Sequence, residues 1–201
     1  VIALGPDSTV LANWPLSADE TTVGSSGEVK LSDPYAAPLQ GRLLFRGPLL
    51  SYVPEKTPNG TFILIRRDVP ISSGTEFRVG RQLLRLESFP VSRPPSDLLW
   101  GSPNPGYRFR IQQLLVGGVD GDSFPLRDGE NLVGRAAGDL SFPGDGYVSS
   151  RHASLTVRAD QVALKDLGSS NGTFVRIESE TNLNPGDLLL VGEQLLRVDP
   201  P

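Results

Sequence analysis

Apolar and polar residues alternate along most of this chain in short runs, as in Ser154-Leu155-Thr156-Val157 and Gln161-Val162-Ala163-Leu164-Lys165. A period of two puts successive side chains on opposite faces, so each run predicts a strand with one face buried. Glycine, asparagine or proline bounds the runs, which marks turns between strands and not helix caps. Asn59-Gly60 and Asn171-Gly172 each lie between apolar runs. That predicts a type I′ hairpin turn at both, because its two central positions need positive φ. Strand spacing and turn density predict an all-β chain of antiparallel β-sandwiches, each of roughly 90 residues.

Set against itself, the chain is an internal repeat. Residues 35–88 pair with 147–200 at an offset of 112 without a gap: Tyr35 falls on Tyr147, Leu43 on Leu155, and Asn59-Gly60-Thr61-Phe62 on Asn171-Gly172-Thr173-Phe174. Gly74 meets Gly186, and Val79-Gly80-Arg81-Gln82-Leu83-Leu84-Arg85 matches Val191-Gly192-Glu193-Gln194-Leu195-Leu196-Arg197. Pro15-Leu16 and Val23-Gly24 match Pro125-Leu126 and Val133-Gly134 at an offset of 110. The repeat predicts one domain at 1–88 and another at 107–201. The prolines and glycines of 89–106 predict a linker between them.

Composition narrows the chemistry. The 22 glycines and 18 prolines fit many turns, while 38% apolar residues suffice for packed cores. Without cysteine and with a single histidine, neither a disulfide framework nor a histidine- or cysteine-based metal site is expected, and no cofactor is implied. No apolar run is long enough to cross a bilayer and no secretory leader is evident, so a cytoplasmic protein with no membrane partner is expected. The net charge of −4 and a pI of about 5.1 argue against nucleic acid as a partner. The acidity lies in the second copy, where residues 107–201 carry 9 basic and 13 acidic groups against 9 and 9 in residues 1–88. Any anion bound there must be held by a few placed groups.

Three segments of the second copy stand out together: Gly134-Arg135, Ser149-Ser150-Arg151-His152, and Gly168-Ser169-Ser170-Asn171-Gly172-Thr173. Their order and spacing resemble the signature of the forkhead-associated (FHA) domain, a Gly-Arg, a Ser-x-x-His and an Asn-Gly about twenty residues on, over residues 107–201. The resemblance implies two FHA-type antiparallel β-sandwiches in tandem and a phosphothreonine site on loops at one end of the second. It implies that Arg135, Ser149 and Ser170 contact phosphate and that Asn171 holds the peptide backbone, with Ser150 and Arg151 beside them. Gly134, His152 and Gly172 are implied as supports of the loops. Physical chemistry agrees, because a phosphothreonine brings about −1.5 to −2 charges and three acceptor oxygens. An arginine fork can bind two of these at once. The implied partner is a phosphothreonine-containing protein or peptide, a serine/threonine kinase or its substrate.

The same offsets put Ser25, Ala37, Gln40 and Pro58 where the second copy has Arg135, Ser149, His152 and Ser170; only Asn59 and Gly60 remain. The first copy is therefore expected to fold as an FHA-like sandwich that does not bind phosphate, because burying a dianion in an incomplete donor shell is prohibitive. Its expected role is structural or protein-interacting. An enzyme is not expected: Ser149 and His152 lack a nucleophile elbow and an orienting acid in the sequence. Asn59-Gly60-Thr61 and Asn171-Gly172-Thr173 fit the glycosylation sequon, but turn chemistry explains them better. The alternatives are a phosphate-independent scaffold and an autoinhibitory capture of Thr21 or Thr22 in Asp19-Glu20-Thr21-Thr22, although the repeat puts these threonines in a strand.

Overall fold

The computed structural model describes residues 1–5, 8–16, 19–89, 101–136 and 138–199. Most of the expected linker, residues 90–100, lies outside them. Among the described residues there are twenty strands and no helix, hence none long and apolar enough to cross a membrane. The first seven strands are β1 (Ile2–Leu4), β2 (Val10–Asn13), β3 (Glu20–Gly24), β4 (Val29–Lys30), β5 (Gly41–Arg46), β6 (Leu49–Pro54) and β7 (Thr61–Leu64). Nine follow: β8 (Val69–Ile71), β9 (Glu76–Val79), β10 (Gln82–Ser88), β11 (Phe109–Leu114), β12 (Asp120–Leu126), β13 (Gly129–Gly134), β14 (Leu140–Ser141), β15 (Ala153–Arg158) and β16 (Gln161–Asp166). The last four are β17 (Thr173–Arg176), β18 (Thr181–Leu183), β19 (Leu188–Val191) and β20 (Gln194–Arg197).

The repeat predicts domains at 1–88 and 107–201, but the chain divides differently. One compact unit joins Val1–Leu64 to Phe174–Pro201, and the other is the continuous stretch Ile65–Thr173. In repeat terms β1–β10 correspond to β11–β20, so each unit takes its last strands from the other copy. In the first unit, one sheet runs β17-β7-β19-β20-β1-β2 and the other β18-β6-β5-β3-β4. The second unit contains β12-β11-β10-β9 and β14-β13-β15-β16-β8. Pairing is antiparallel except for β3 with β4 and β13 with β14, which are parallel.

Both units are sandwiches. In the first, Ala3, Leu189, Val191 and Leu196 of one sheet join Val23, Leu43, Leu50 and Tyr52 of the other in one apolar cluster. In the second, Phe77, Leu84, Leu86 and Ile111 on one sheet and Val133, Leu155, Val157 and Leu164 on the other are all buried. The apolar positions that predict β15 and β16, Leu155, Val157, Val162 and Leu164, are all buried, and in β15 Ser154 is buried beside them.

The two Asn-Gly pairs do not turn hairpins, contrary to the sequence expectation. β6 and β7 lie in different sheets, and β16 pairs with β15 and β8 instead of β17. Only the glycine of each pair has positive φ, 60° at Gly60 and 78° at Gly172, so the I′ geometry is not formed. The segment crosses between sheets, and a local turn preference does not distinguish crossing from returning. Two-residue hairpins occur instead at Gly47-Pro48, Gly80-Arg81, Ala159-Asp160 and Gly192-Glu193. In each, the first residue alone has positive φ, as a II′ turn requires. Thr21 is buried within β3, and Thr22 donates its backbone N–H to Glu28 Oε2.

Candidate functional site

Three loops of the second unit meet at one end: 134–135 after β13, 142–152 between β14 and β15, and 167–172 between β16 and β17. Their backbones are stitched together. Arg135 N–H donates to Ser149 O at 3.0 Å, His152 N–H to Val133 O at 2.9 Å, and Leu167 N–H to His152 O at 2.9 Å. Phe142 N–H donates to the carbonyl of the buried Gly134 at 3.0 Å.

His152 is fully buried at the centre of this frame. Ser149 N–H donates to its Nδ1 at 3.0 Å, so the ring proton sits on Nε2, which donates to Gly172 O at 3.0 Å. Burial depresses its pKa below the ordinary 6.5, against opposing influences from the Gly172 carbonyl and from Asp166 and Asp145. The ring thus binds two loops as a neutral spacer. Its Nδ1 is occupied by a backbone amide and not by the Ser149 hydroxyl, so the two residues are not arranged as nucleophile and base.

A carboxylate organises the third loop. Asp166 Oδ1 accepts from Gly168 N–H at 2.8 Å and Ser169 N–H at 2.9 Å, and its Oδ2 accepts from Ser169 Oγ at 2.7 Å and Thr173 Oγ1 at 2.6 Å. Partial burial raises its pKa, but these four donors outweigh burial and hold the carboxyl below its ordinary range. Ser169 Oγ accepts in turn from Gly172 N–H. Asp145 plays the same part in the second loop: Tyr147 N–H reaches its Oδ1, while Arg81 N–H and Gln82 Nε2 both reach its Oδ2. Burial opposes the ionised form here too, and hydrogen bonds from Gln82, Tyr147 and Arg81 prevail, leaving the pKa lowered.

On this frame stand the residues singled out in the sequence. Ser149 Oγ accepts from Ser170 N–H at 3.1 Å, leaving the serine proton available to a ligand. Asn171 Nδ2 donates to Tyr147 O at 2.8 Å, keeping its amide oxygen available. Arg135 is half-buried and its guanidinium has no carboxylate partner among the described residues, whereas Arg42, Arg85, Arg108, Arg110, Arg127 and Arg197 each have one. Ser150, Arg151 and Ser170 are exposed. Arg135, Ser149, Ser170 and Asn171 are thus tied into one loop cluster, while no side-chain contact ties Ser150 or Arg151 to it. A cation on a fixed backbone, free hydroxyls and glycine-rich backbone in one place suit a compact polyanion.

Sequence reasoning missed the carboxylates. Asp145 had a signal, since Asp-x-Tyr recurs as Asp33-x-Tyr35 in the other copy. Asp166 had none, because Pro54 holds the equivalent position. A cavity of about 790 Å³ is lined by Pro70, Ser88, Phe89, Tyr107 and Asp160 among others and contains none of the expected site residues. Among the described residues, no group of three histidine, aspartate or glutamate side chains is placed to hold a metal ion.

The first unit repeats much of the frame with other side chains in place of Arg135, Ser149 and Ser170. Ser25 N–H donates to Ala37 O at 2.9 Å, as Arg135 N–H does to Ser149 O. Gln40 Oε1 accepts from Ala37 N–H at 3.0 Å and its Nε2 donates to Gly60 O at 2.7 Å, so an amide makes both bonds of the imidazole. Asn59 Nδ2 donates to Tyr35 O at 2.8 Å. In place of the Asp166–Thr173 bond, Tyr52 OH and Thr61 Oγ1 lie 2.8 Å apart, and burial pushes the Tyr52 phenol up to about 12.

Comparison with known proteins bears on the second copy. Residues 131–192 match the FHA domain family. The FHA domain-containing protein FhaB of Mycolicibacterium smegmatis is 30% identical over 103 residues, which cover 49% of this chain and 66% of the relative. FhaB of Mycobacterium tuberculosis H37Rv is 29% identical over 105 residues, covering 51% of this chain and 68% of that protein. The chain thus spans about two thirds of the length of these relatives. A solved structure from a study of phosphothreonine-dependent FHA domain interactions is 30% identical, covering 46% of this chain and 97% of its own, with a TM-score of 0.29.

Proposed function

We propose that this chain, which carries an FHA domain over residues 131–192, is a phosphothreonine-peptide binding module of serine/threonine kinase signalling, reading phosphate through the second copy alone. The observation that carries this reading is the unpaired guanidinium of Arg135, whose backbone is bonded to Ser149 in an otherwise acidic half of the chain. In the reading, Arg135 takes two phosphate oxygens, and Ser149 and Ser170 donate to the remaining acceptor sites. Asn171 holds the peptide backbone through its free amide oxygen, and Ser150 and Arg151 flank the phosphate. Gly134, His152 and Gly172 support the loops without touching ligand. The partner is a phosphorylated kinase or kinase substrate, and the chain acts by binding, in the cytoplasm, without catalysis.

The first copy is proposed to be a tandem, phosphate-silent FHA-type domain. It keeps the loop frame through Gln40 and Asn59 but has Ser25, Ala37 and Pro58 in place of the donors. Capture of the chain's own Thr21 is disfavoured by its burial in β3.

Calorimetric titration of a degenerate phosphothreonine peptide pool, with unphosphorylated and phosphoserine pools as controls, tests the reading. The expected result is binding that requires phosphate on threonine and weakens by about 2 kcal/mol, roughly thirtyfold, in Arg135→Ala. Equal binding by wild type and Arg135→Ala would overturn it.

A further inference from the structure

The tip of the β9–β10 hairpin, Gly80-Arg81-Gln82, belongs to the first repeat by sequence but lies in the compact unit that holds the FHA motif. There it is built into the loop cluster. Arg81 N–H and Gln82 Nε2 hold Asp145 Oδ2 at 2.9 and 2.7 Å; Asp145 Oδ1 accepts from Tyr147 N–H, and Tyr147 O accepts from Asn171 Nδ2. The Arg81 guanidinium lies 4.5 Å from the centre of the Tyr147 ring, with both side chains exposed. A Cβ on Gly80, whose φ is +59°, would meet Val148 Cγ2 at 2.8 Å and the Tyr147 backbone at 2.9 Å, so the tip is seated directly against this loop.

The two hairpins differ at one position in seven, and that difference is a charge. The copy seated in the FHA unit brings Arg81; the copy in the other unit brings Glu193, whose N–H donates to Asp33 at 2.6 Å. Arg81 also borders a cavity of about 370 Å³ together with Gln82, Gln113, Ser141 and Tyr147. Of the two carboxylates there, Asp145 is occupied by three donors, and Asp122 is exposed.

We propose that the peptide-binding surface is composite: the first repeat supplies Arg81 as a specificity-determining residue that reads an anionic side chain, carboxylate or phosphate, flanking the phosphothreonine. Gln82 is a positioning residue that acts through Asp145 and Tyr147. The exchange of hairpins then gives the phosphate-silent repeat a direct part in recognition. The proposal rests on the phosphothreonine reading for its ligand but not for its architecture, and its two tests separate these.

The first test titrates the full chain, as wild type, Arg81→Glu and Glu193→Arg, with three phosphothreonine peptide pools flanked by alanine and serine, by aspartate and glutamate, or by a second phosphoserine. Wild type is expected to prefer the anionic pools by about fivefold, and the stronger of the two identifies the anion. Arg81→Glu is expected to lose the preference with the neutral pool unchanged, and Glu193→Arg to change nothing. No preference in wild type, equal weakening of all pools in Arg81→Glu, or an effect confined to Glu193→Arg would overturn the proposal. Failure of wild type to bind any pool would instead remove the phosphothreonine reading.

The second test needs no ligand. The chain has no cysteine, so Arg81→Cys with Tyr147→Cys, and Glu193→Cys with Tyr147→Cys, are clean pairs for a short bismaleimide. Cross-linking within the first pair only is expected. Cross-linking of the second pair, or of neither, would overturn the composite surface.

Discussion

The loop ends of the two units share several of the hydrogen bonds that tie their loops together and differ in the side chains those loops present. In the FHA unit an imidazole joins the 149 loop to Gly172; in the other an amide, Gln40, joins the 37 loop to Gly60 with the same two bonds. Each asparagine latches a tyrosine carbonyl and each aspartate caps that tyrosine's N–H. What has changed is the set of groups outside the frame: arginine to serine at 135 and 25, serine to alanine at 149 and 37, serine to proline at 170 and 58. The frame and the side chains it presents are therefore separable. The frame is required by buried backbone groups that need partners whatever the loop binds.

The strongest way to break this comparison is to rebuild recognition on the silent frame. In full-length Arg135→Ala, adding Ser25→Arg, Ala37→Ser and Pro58→Ser is expected to restore phosphate-dependent binding to the order of 100 μM, if three charge-assisted bonds offset peptide ordering. Calorimetry detects it, and complete silence would mean that the two frames differ in a way their hydrogen bonds conceal.

A smaller effect sharpens the claim that amide and imidazole are equivalent spacers. His152→Ala removes two buried bonds and leaves a void, and is expected to cost about 3 kcal/mol in denaturant unfolding. His152→Gln should recover most of that. The histidine also makes its unit sensitive to acid. Its folded-state pKa lies below the unfolded value, so the unfolded chain takes up the proton first as pH falls. The stabilisation is complete above pH 6.5 and is lost from there down towards the folded pKa. Thermal stability should therefore fall from pH 7 to pH 5 in wild type, and this window should be flat in His152→Gln.

The smallest effect concerns Arg151. It is exposed and bonded to nothing among the described residues, so Arg151→Ala is expected to change stability by less than about 0.5 kcal/mol. Its effect on peptide affinity should fall well below that of Arg135→Ala in the same titration. A loss as large as that of Arg135→Ala would move the phosphate towards the 150–152 turn.

Much of this was legible in the residues, for definable reasons. Burial of one face imposes alternation on β15 and β16, and duplication imposes the offset, so strands and motif were both readable. The Asn-Gly reading went astray because positive φ at a glycine serves a sheet-to-sheet crossing as well as a hairpin. The exchange of strands between repeats was hidden for a stronger reason: Val79–Arg85 and Val191–Arg197 are so alike that local sequence fits either sandwich. Asp166 escaped because a carboxylate that accepts four bonds within its own loop looks, in sequence, like any surface acid.

The continuous unit Ile65–Thr173 falls in the sequence between the two segments of the other unit, Val1–Leu64 and Phe174–Pro201, and this nesting gives the chain a history on the ribosome. That continuous unit has all of its own strands once residue 173 has emerged. The earlier half, already synthesised, has only part of the facing sheet, Ala3 included, to set against Leu43, Leu50 and Tyr52 until Leu189, Val191 and Leu196 follow. At ordinary translation speed that wait is on the order of ten seconds. The continuous unit matures first, and the older part of the chain waits as an incomplete sandwich, the interval in which a chaperone has most to do.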